Sequence, residues 1–319
     1  MNKLVIVVPA YNEELVIEKT TEKLVDILQR LVDNNKISDE SLLLYVDDGS
    51  QDNTWEMVTE LHKQNKLVTG IKFSHNAGHQ NALIAGIECA KDADYIITID
   101  ADLQDDPDSI EDMVDQANSG KNIVFGVRNN RDSDTWFKKT SAELFYKIMA
   151  LLGVESIPNH ADFRLIDQRV IQAFLQYPER EMFLRGIFPK LGFNQGEVFY
   201  ARSKREAGET KYPLRKMLTF AMDGITSFSV VPIKMIRNVG FLVVFVGIIY
   251  LIYTVIAKVM GHTVAGWPSL IISMWLLGGV QLVALGVVGE YIGRIFTEVK
   301  HRPRYTLEAN LYTDKVVEQ

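Results

Sequence analysis

Four carboxylates and one carboxamide occupy seven consecutive residues, D-A-D-L-Q-D-D at 100–106, directly after the apolar run Y-I-I-T-I at 95–99. Crowding like charges at the end of a buried run is unfavourable unless something positive compensates them. Three arrangements account for such a cluster differently. An EF-hand loop would use Asp100, Asp102, Gln104 and Glu111, but its obligatory glycine is replaced by Asp105, Pro107 follows, and a strand-like run leads in. A helix N-terminus explains Asp105, Asp106 and Asp108 around Pro107 as complements to the helix dipole, and leaves Asp100 and Asp102 unexplained. A divalent cation shared with a diphosphate explains those two. Mg2+ and Mn2+ take hard oxygen ligands, one or two carboxylates plus phosphates and water, and residues two apart on an extended segment point the same way.

A second acidic group, V-D-D-G-S at 46–50, is of the same kind. Asp47 and Asp48 can accept from a base or ribose, with Gly49 permitting a tight turn; turn and cap chemistry ahead of a helix near Asn53 fits the same residues. His75, His79 and His160 lack zinc spacing and are read as solvated or hydrogen-bonding loop residues, with His79 opening a helix and orienting its neighbours.

These groups need elements to carry them. Up to about residue 200, β-branched runs at 4–8, 42–46, 70–73, 95–99 and 122–127 alternate with helix-length segments near 13–34, 53–65, 78–91 and 107–119. That alternation predicts an α/β fold with a mostly parallel sheet covered on both faces. Ligands of such sheets bind beyond the carboxyl ends of the strands, and P-A-Y-N-E-E (9–14), D-D-G-S, S-H-N-A-G-H and D-A-D-L-Q-D-D all fall there.

Beyond residue 230 the chain changes character. Residues 239–257 hold no charge, and 267–289 hold only Gln281 as a strongly polar member. Both stretches are long enough to cross a hydrocarbon core, whereas buried core helices rarely run so long without charges. The short connection between them predicts a hairpin with both outer ends on one side. Lys234 and Arg237 before it, and Arg294, Lys300, Arg302 and Arg304 after it, place that side, and the first domain with it, in the cytoplasm. Between the halves, Leu214, Met217, Leu218, Ala221, Ile225 and Phe228 recur at helical spacing beside Arg215 and Lys216. This is either an amphipathic helix in the membrane surface or a helix packed on the soluble domain with a solvated basic face. The expected organisation is a catalytic domain at 1–205, an amphipathic juxtamembrane segment at 206–232, two spans within 233–293 and a tail at 294–319.

Composition adds exclusions. A net charge of −7 argues against a nucleic-acid partner, and the single cysteine, Cys89, leaves no intrachain disulfide. The N-terminal apolar run is too short for a signal peptide and stops at Pro9 and two glutamates.

The ordered set P-A-Y-N-E-E, D-D-G-S, D-A-D-L-Q-D-D, H-A-D-F-R-L (160–165), R-S-K-R-E-A-G-E-T-K-Y (202–212) and two apolar C-terminal spans resembles the family-2 glycosyltransferases of the GT-A fold. Within them it is similar to the polyprenyl-phosphate glycosyltransferases, such as bactoprenol glucosyltransferases and dolichol-phosphate mannose synthases. The resemblance covers nearly the whole chain. It implies that Pro9, Tyr11, Glu13 and Asp48 line a nucleotide pocket. Asp100, Asp102 and Gln104 would bind Mg2+ or Mn2+ and the donor diphosphate. Asp162 would stand where the family has its candidate base, beside Arg164, and Arg202, Lys204 and Lys211 would meet phosphates. His75 departs from the arginine that relatives commonly carry before Asn76.

The implied partners are a nucleotide-sugar donor, a polyprenyl phosphate and the bilayer; a homo-oligomer is left open. The reaction would invert the anomeric centre. A phosphate monoester is largely ionised at neutral pH, having a second pKa near 6, and has little proton to give up. Asp162 is therefore expected to orient groups more than to remove a proton. A non-catalytic nucleotide-sugar binder or flippase component is a rival, although neither span carries a central charge. A processive polysaccharide synthase is a nearer one, but the Q-x-x-R-W sequence and extra spans of that class are missing.

Overall fold

In the computed structural model, which describes residues 1–129, 160–180, 182–201, 231–260 and 266–312, the run L-V-I-V-V-P-A forms strand β1 (Leu4–Ala10). Every residue of β1 is buried, as a central strand covered on both faces requires. The other runs behave alike: β2 (Leu42–Asp47), β3 (Val68–Phe73), β4 (Tyr95–Thr98) and β5 (Ile123–Arg128). Helices α1 (Ile17–Asp33), α2 (Thr54–Gln64), α3 (His79–Cys89) and α4 (Ser109–Asn118) connect them. In α1, Leu24, Ile27, Leu28 and Leu31 repeat at spacings of three and four and make its buried stripe. Helix α3 lies close on the sheet through Gly86, where a Cβ would fall 2.2 Å from Val7 Cγ1.

Three strands lie outside the regular alternation: β6 (His160–Asp167), β7 (Gln195–Tyr200) and β8 (Leu307–Asn310). Two short helices, α5 (Gln168–Phe174) and α6 (Leu184–Lys190), separate β6 from β7. The sheet order is β7-β5-β6-β4-β1-β2-β3-β8. The pairs β1–β2, β2–β3, β1–β4 and β5–β7 are parallel; β4–β6, β5–β6 and β3–β8 are antiparallel. The chain builds outward from β1 through β2 and β3, then returns to place β4 on the other side of β1. A crevice at this reversal is where open α/β sheets bind ligands. Because β6 is antiparallel to β4, its beginning lies at the carboxyl end of β4. Thr98 pairs with Arg164, and two further steps of that register bring Asp100 level with Asp162.

Among the described residues the chain divides into two compact units, one holding the sheet and 302–312, the other holding helices α7 (Val231–Val259) and α8 (Trp267–Val299). Both helices begin with proline in the first turn, Pro232 and Pro268, where a missing N–H costs nothing. Each is long and apolar enough to cross a membrane, and neither apolar stretch, Ile233–Tyr250 or Leu277–Val299, is buried within the structure. Phe241, Leu242, Leu282 and Val283 are exposed, unlike the side chains of core helices in a soluble protein. The expected spans lie inside these helices, but both helices are longer. Helix α8 runs on through Glu290, Arg294 and Glu298, so the segment expected as a tail from 294 starts as helix and, within the described residues, goes on to form β8. The amphipathic segment expected at 206–232 lies outside the described residues except for Val231 and Pro232, which open α7.

Candidate active site

The carboxyl ends of β1 and β2 are laced together by short polar side chains. Asn12, held at φ 56°, donates its N–H to Ser50 Oγ at 3.0 Å and accepts on Oδ1 from Gln51 N at 2.8 Å. Glu13 N donates to Thr54 Oγ1 at 2.9 Å, and Glu14 Oε2 accepts from Asn53 N at 3.1 Å. This fixes the loop carrying Tyr11, which is exposed, and Glu13, which is half-buried, beside buried Pro9. Asp48 is buried too. Its Oδ1 accepts from Ala77 N at 2.6 Å and its Oδ2 from Gly78 N at 3.0 Å. Burial raises the Asp48 pKa above the usual carboxylate value, against the pull of those two amides. Asp47 bonds to Ser50 within its own turn, while its Oδ2 is buried without a hydrogen-bond partner. Gly49 is obligatory here: its φ is +70°, and a Cβ would meet His75 C at 2.6 Å. The turn reading of D-D-G-S is thus realised, with Asp48 spent on ordering a neighbouring loop.

That loop leads straight into the second cluster. Gly78 holds Asp48, and the next residue, His79, sets its Nε2 3.5 Å from Asp100 Oδ1 and 3.6 Å from Asp162 Oδ2. Asp162 Oδ1 accepts a short bond from Arg164 Nη2, and Oδ2 accepts from Arg185 Nε at 3.2 Å and Nη2 at 2.9 Å. Arg164 is fully buried with its guanidinium 4.9 Å from the Phe188 ring centre, whereas the Arg185 side chain is 35% exposed. Burial alone would raise the pKa of Asp162. The adjacent His79 imidazole and the charges of Arg185 and Arg164 override it and hold Asp162 well below the usual range. For His79, burial disfavours the imidazolium, and the Asp162 and Asp100 carboxylates outweigh it, lifting its pKa.

Asp100 has the opposite fate. Burial, together with the charges of Asp162, Asp105 and Asp102, lifts its pKa against the pull of His79, and its Oδ1 is buried with no hydrogen-bond partner. Leu103 turns the chain at φ 51°, and Asp102 Oδ1 accepts from Gln104 N at 3.1 Å. Gln104 is buried. Among the described residues no group of three or more histidine, cysteine or carboxylate side chains is arranged to hold a metal ion by itself. An orphaned carboxylate oxygen with hard oxygen donors close in sequence, and no complete protein cage, fits a Mg2+ or Mn2+ that completes its shell with phosphate and water.

Asp105 corrects one expectation. It does not serve the N-terminus of α4, because its Oδ1 accepts from Arg128 Nη2 at 2.7 Å and from Tyr200 Oη at 2.7 Å, tying the ends of β5 and β7 to the acidic lip. Asp108 faces Lys23 and Arg30 instead of capping the helix. Arg202, Lys204 and Lys211 lie outside the described residues. Arg185 was not foreseen: in M-F-L-R-G-I-F it is a lone cation in an apolar stretch, and that conflict was the available signal.

A mostly parallel mixed sheet with its polar groups gathered at the strand reversal is the GT-A-like fold. The family model for glycosyl transferase family 2 matches residues 5–191, and the model for the GtrB C-terminal hairpin matches 231–295. The chain belongs to glycosyl transferase family 2 and is a glycosyltransferase with a membrane-associating hairpin. It is 49% identical over 98% of its length, and 93% of the relative's, to the uncharacterized glycosyltransferase YkoT of Bacillus subtilis (strain 168). It is 35% identical to the bactoprenol glucosyl transferase of Shigella phage SfV, over 96% of this chain and 98% of that one. Among solved structures, glucosyl-3-phosphoglycerate synthase from Mycobacterium tuberculosis, in a complex with Mn2+ and UDP, is 17% identical with a TM-score of 0.47, covering 70% of this chain and 78% of that one.

Proposed function

We propose that this glycosyltransferase moves a sugar from a nucleotide-diphosphate donor, a UDP-sugar by preference, to a polyprenyl phosphate at the cytoplasmic face of the membrane, with inversion. The product would supply lipid-linked sugar for the cell envelope. The observation that carries this reading is the pairing, at one strand reversal, of an unfinished carboxylate, Asp100, with a fully compensated one, Asp162. The likeness to bactoprenol glucosyl transferases over nearly the whole chain supports the acceptor class.

In this reading Pro9, Tyr11, Glu13 and the loop ordered by Asp48 receive the nucleotide. Asp100, Asp102 and Gln104 would hold Mg2+ or Mn2+, which supplies Lewis-acid stabilisation of the departing diphosphate. The acceptor phosphate arrives largely ionised, so attack at the anomeric carbon needs alignment and charge compensation more than a base. Asp162, kept ionised and hydrogen-bonded on both oxygens, orients Arg185 and Arg164; Arg185, the more exposed, is the cation available to an anion in the crevice. Arg202, Lys204 and Lys211 would serve the acceptor phosphate, and the apolar helices α7 and α8 would keep the domain at the depth of that phosphate. Purified membranes should transfer label from UDP-sugar into solvent-extractable lipid, and Asp102→Asn should not. Label appearing instead in growing water-soluble polymer would refute the reading.

A further inference from the structure

The chain does not end with the apolar hairpin. Past α8 it rejoins the sheet unit, where β8 pairs antiparallel with the edge strand β3, Ile71 opposite Asn310 and Phe73 opposite Leu307. Leu311 N donates to Gly70 O at 2.8 Å, and Ser74 N donates to Thr306 O at 2.9 Å. Just before this ladder the Tyr305 ring stacks on Phe73 with centroids 4.7 Å apart, and its hydroxyl donates to Glu88 on α3. Arg304 Nη1 also reaches Glu88, at 3.0 Å, while its Nη2 donates to Glu179 O at 2.6 Å.

We propose that residues 302–312 form a strap that sets the donor loop, with Arg304 and Tyr305 acting as positioning residues through Glu88 and Phe73. The inference rests on the donor-pocket reading of Asp48 given above. Loop 74–78, whose Ala77 and Gly78 amides bind Asp48, is bounded by Phe73 on one side and α3 on the other, and the strap grips both boundaries. Its third contact, Glu179 O, lies on the segment that enters α6, the helix of Arg185, and Leu184 N of α6 is itself held by Gln80 of α3 at 3.1 Å. Three elements that converge on the crevice therefore share one fastening.

Edge protection is the mundane alternative, since a short added strand shields an open edge from aggregation. It does not account for where the contacts concentrate. L-E-A-N has weak strand propensity and its residues are exposed or half-buried, so the ladder adds little core. The polar and aromatic contacts cluster instead at Arg304 and Tyr305, beside the loop, where the Arg304–Glu88 pair is largely shielded, at 17% and 34% exposure.

The test uses the full chain in detergent or nanodiscs and compares Arg304→Ala/Tyr305→Phe with Glu308→Ala. The latter removes only the outward contact between Lys72 and Glu308 on the same ladder. Expected for the double variant are hydrogen exchange at Ala77 and Gly78 faster by about tenfold or more, donor KM raised by a similar factor and kcat within about threefold. The charge exchange Glu88→Arg/Arg304→Glu should recover part of the affinity, and Glu308→Ala should match the parent. Parent-like exchange and KM in the double variant would overturn the strap, leaving edge protection; faster exchange with unchanged KM would equally overturn its role in donor binding. If the parent itself binds neither UDP nor GDP, the donor-pocket reading falls, and the exchange measurement alone then decides the coupling.

Discussion

Asp100 and Asp162 both approach His79 Nε2, at 3.5 and 3.6 Å, yet their surroundings are opposite. Asp162 has two guanidiniums and a histidine, and its pKa is driven down; Asp100 has an orphaned oxygen and neighbouring carboxylates, and its pKa is driven up. Depth of burial runs the wrong way to explain this: the Asp162 side chain is 4% exposed and the Asp100 side chain 36%, and desolvation opposes ionisation in both. The difference is the supply of cations by the fold. Strand β6 and helix α6 bring Arg164 and Arg185 to one carboxylate, and β4 with its following loop brings more acid to the other. A site completed by its own side chains can orient, and one left incomplete can recruit.

The sharpest way to break the comparison is to remove the recruiting side. Asp100→Ala/Asp102→Ala should lower transfer by about a thousandfold or more, and Mn2+ should cease to raise the thermal midpoint, as it should in the parent. Retained activity in the presence of chelator would mean that the lip holds no ion. Asp162→Asn comes next, with a loss of about a hundredfold from misplaced guanidiniums. If orientation is the role, the residual rate keeps the basic limb of the parent's pH profile, and disappearance of a limb assignable to Asp162 contradicts it. Its acid stability should change as well. A carboxylate with a depressed folded pKa contributes stability above its unfolded value of about 3.9 and loses it as pH falls through the folded pKa. The asparagine variant should therefore show a shallower decline in thermal midpoint as pH falls from about 5 toward 3.

Arg164 and Arg185 test whether the completed side is graded by burial. Arg164→Ala strips a fully buried charge from Asp162 Oδ1 and empties the space over Phe188, for an expected loss of about 3–5 kcal/mol in denaturant unfolding. Arg185→Ala removes a side chain that is itself 35% exposed, so water can enter the space it leaves beside Asp162. Its stability loss should be the smaller of the two and its activity loss the larger. The reverse order would assign Arg185 to the scaffold.

Much of this was legible in the residues. Strands β1 to β5 announce themselves because a strand buried on both faces must be apolar throughout, and the acidic lip stands out because such charges need a reason to gather. Strand β6 was not visible, since Asp162 and Arg164 interrupt its apolar pattern and only pairing between β4 and β5 makes their burial tolerable. Arg185 was hidden for the same reason: its meaning lies in a partner 23 residues away. Strand β8 has no pattern of its own and exists because β3 offers an edge. What local periodicity encodes was readable; what tertiary partners compensate was not.

The smallest effect separates the two carboxylates most cleanly, because it has opposite signs at the two positions. Asn keeps the shape of Asp and deletes its charge. At Asp162 the deletion wastes two guanidiniums and should lower the thermal midpoint. At Asp100 it removes a charge that faces neighbouring carboxylates on a side chain 36% exposed, so with chelator present Asp100→Asn should be neutral or should raise the thermal midpoint slightly. Adding Mn2+ should then raise the parent above the variant. A destabilised Asp100→Asn under chelation would mean that His79 already satisfies Asp100, and the distinction between a finished and an unfinished carboxylate would dissolve.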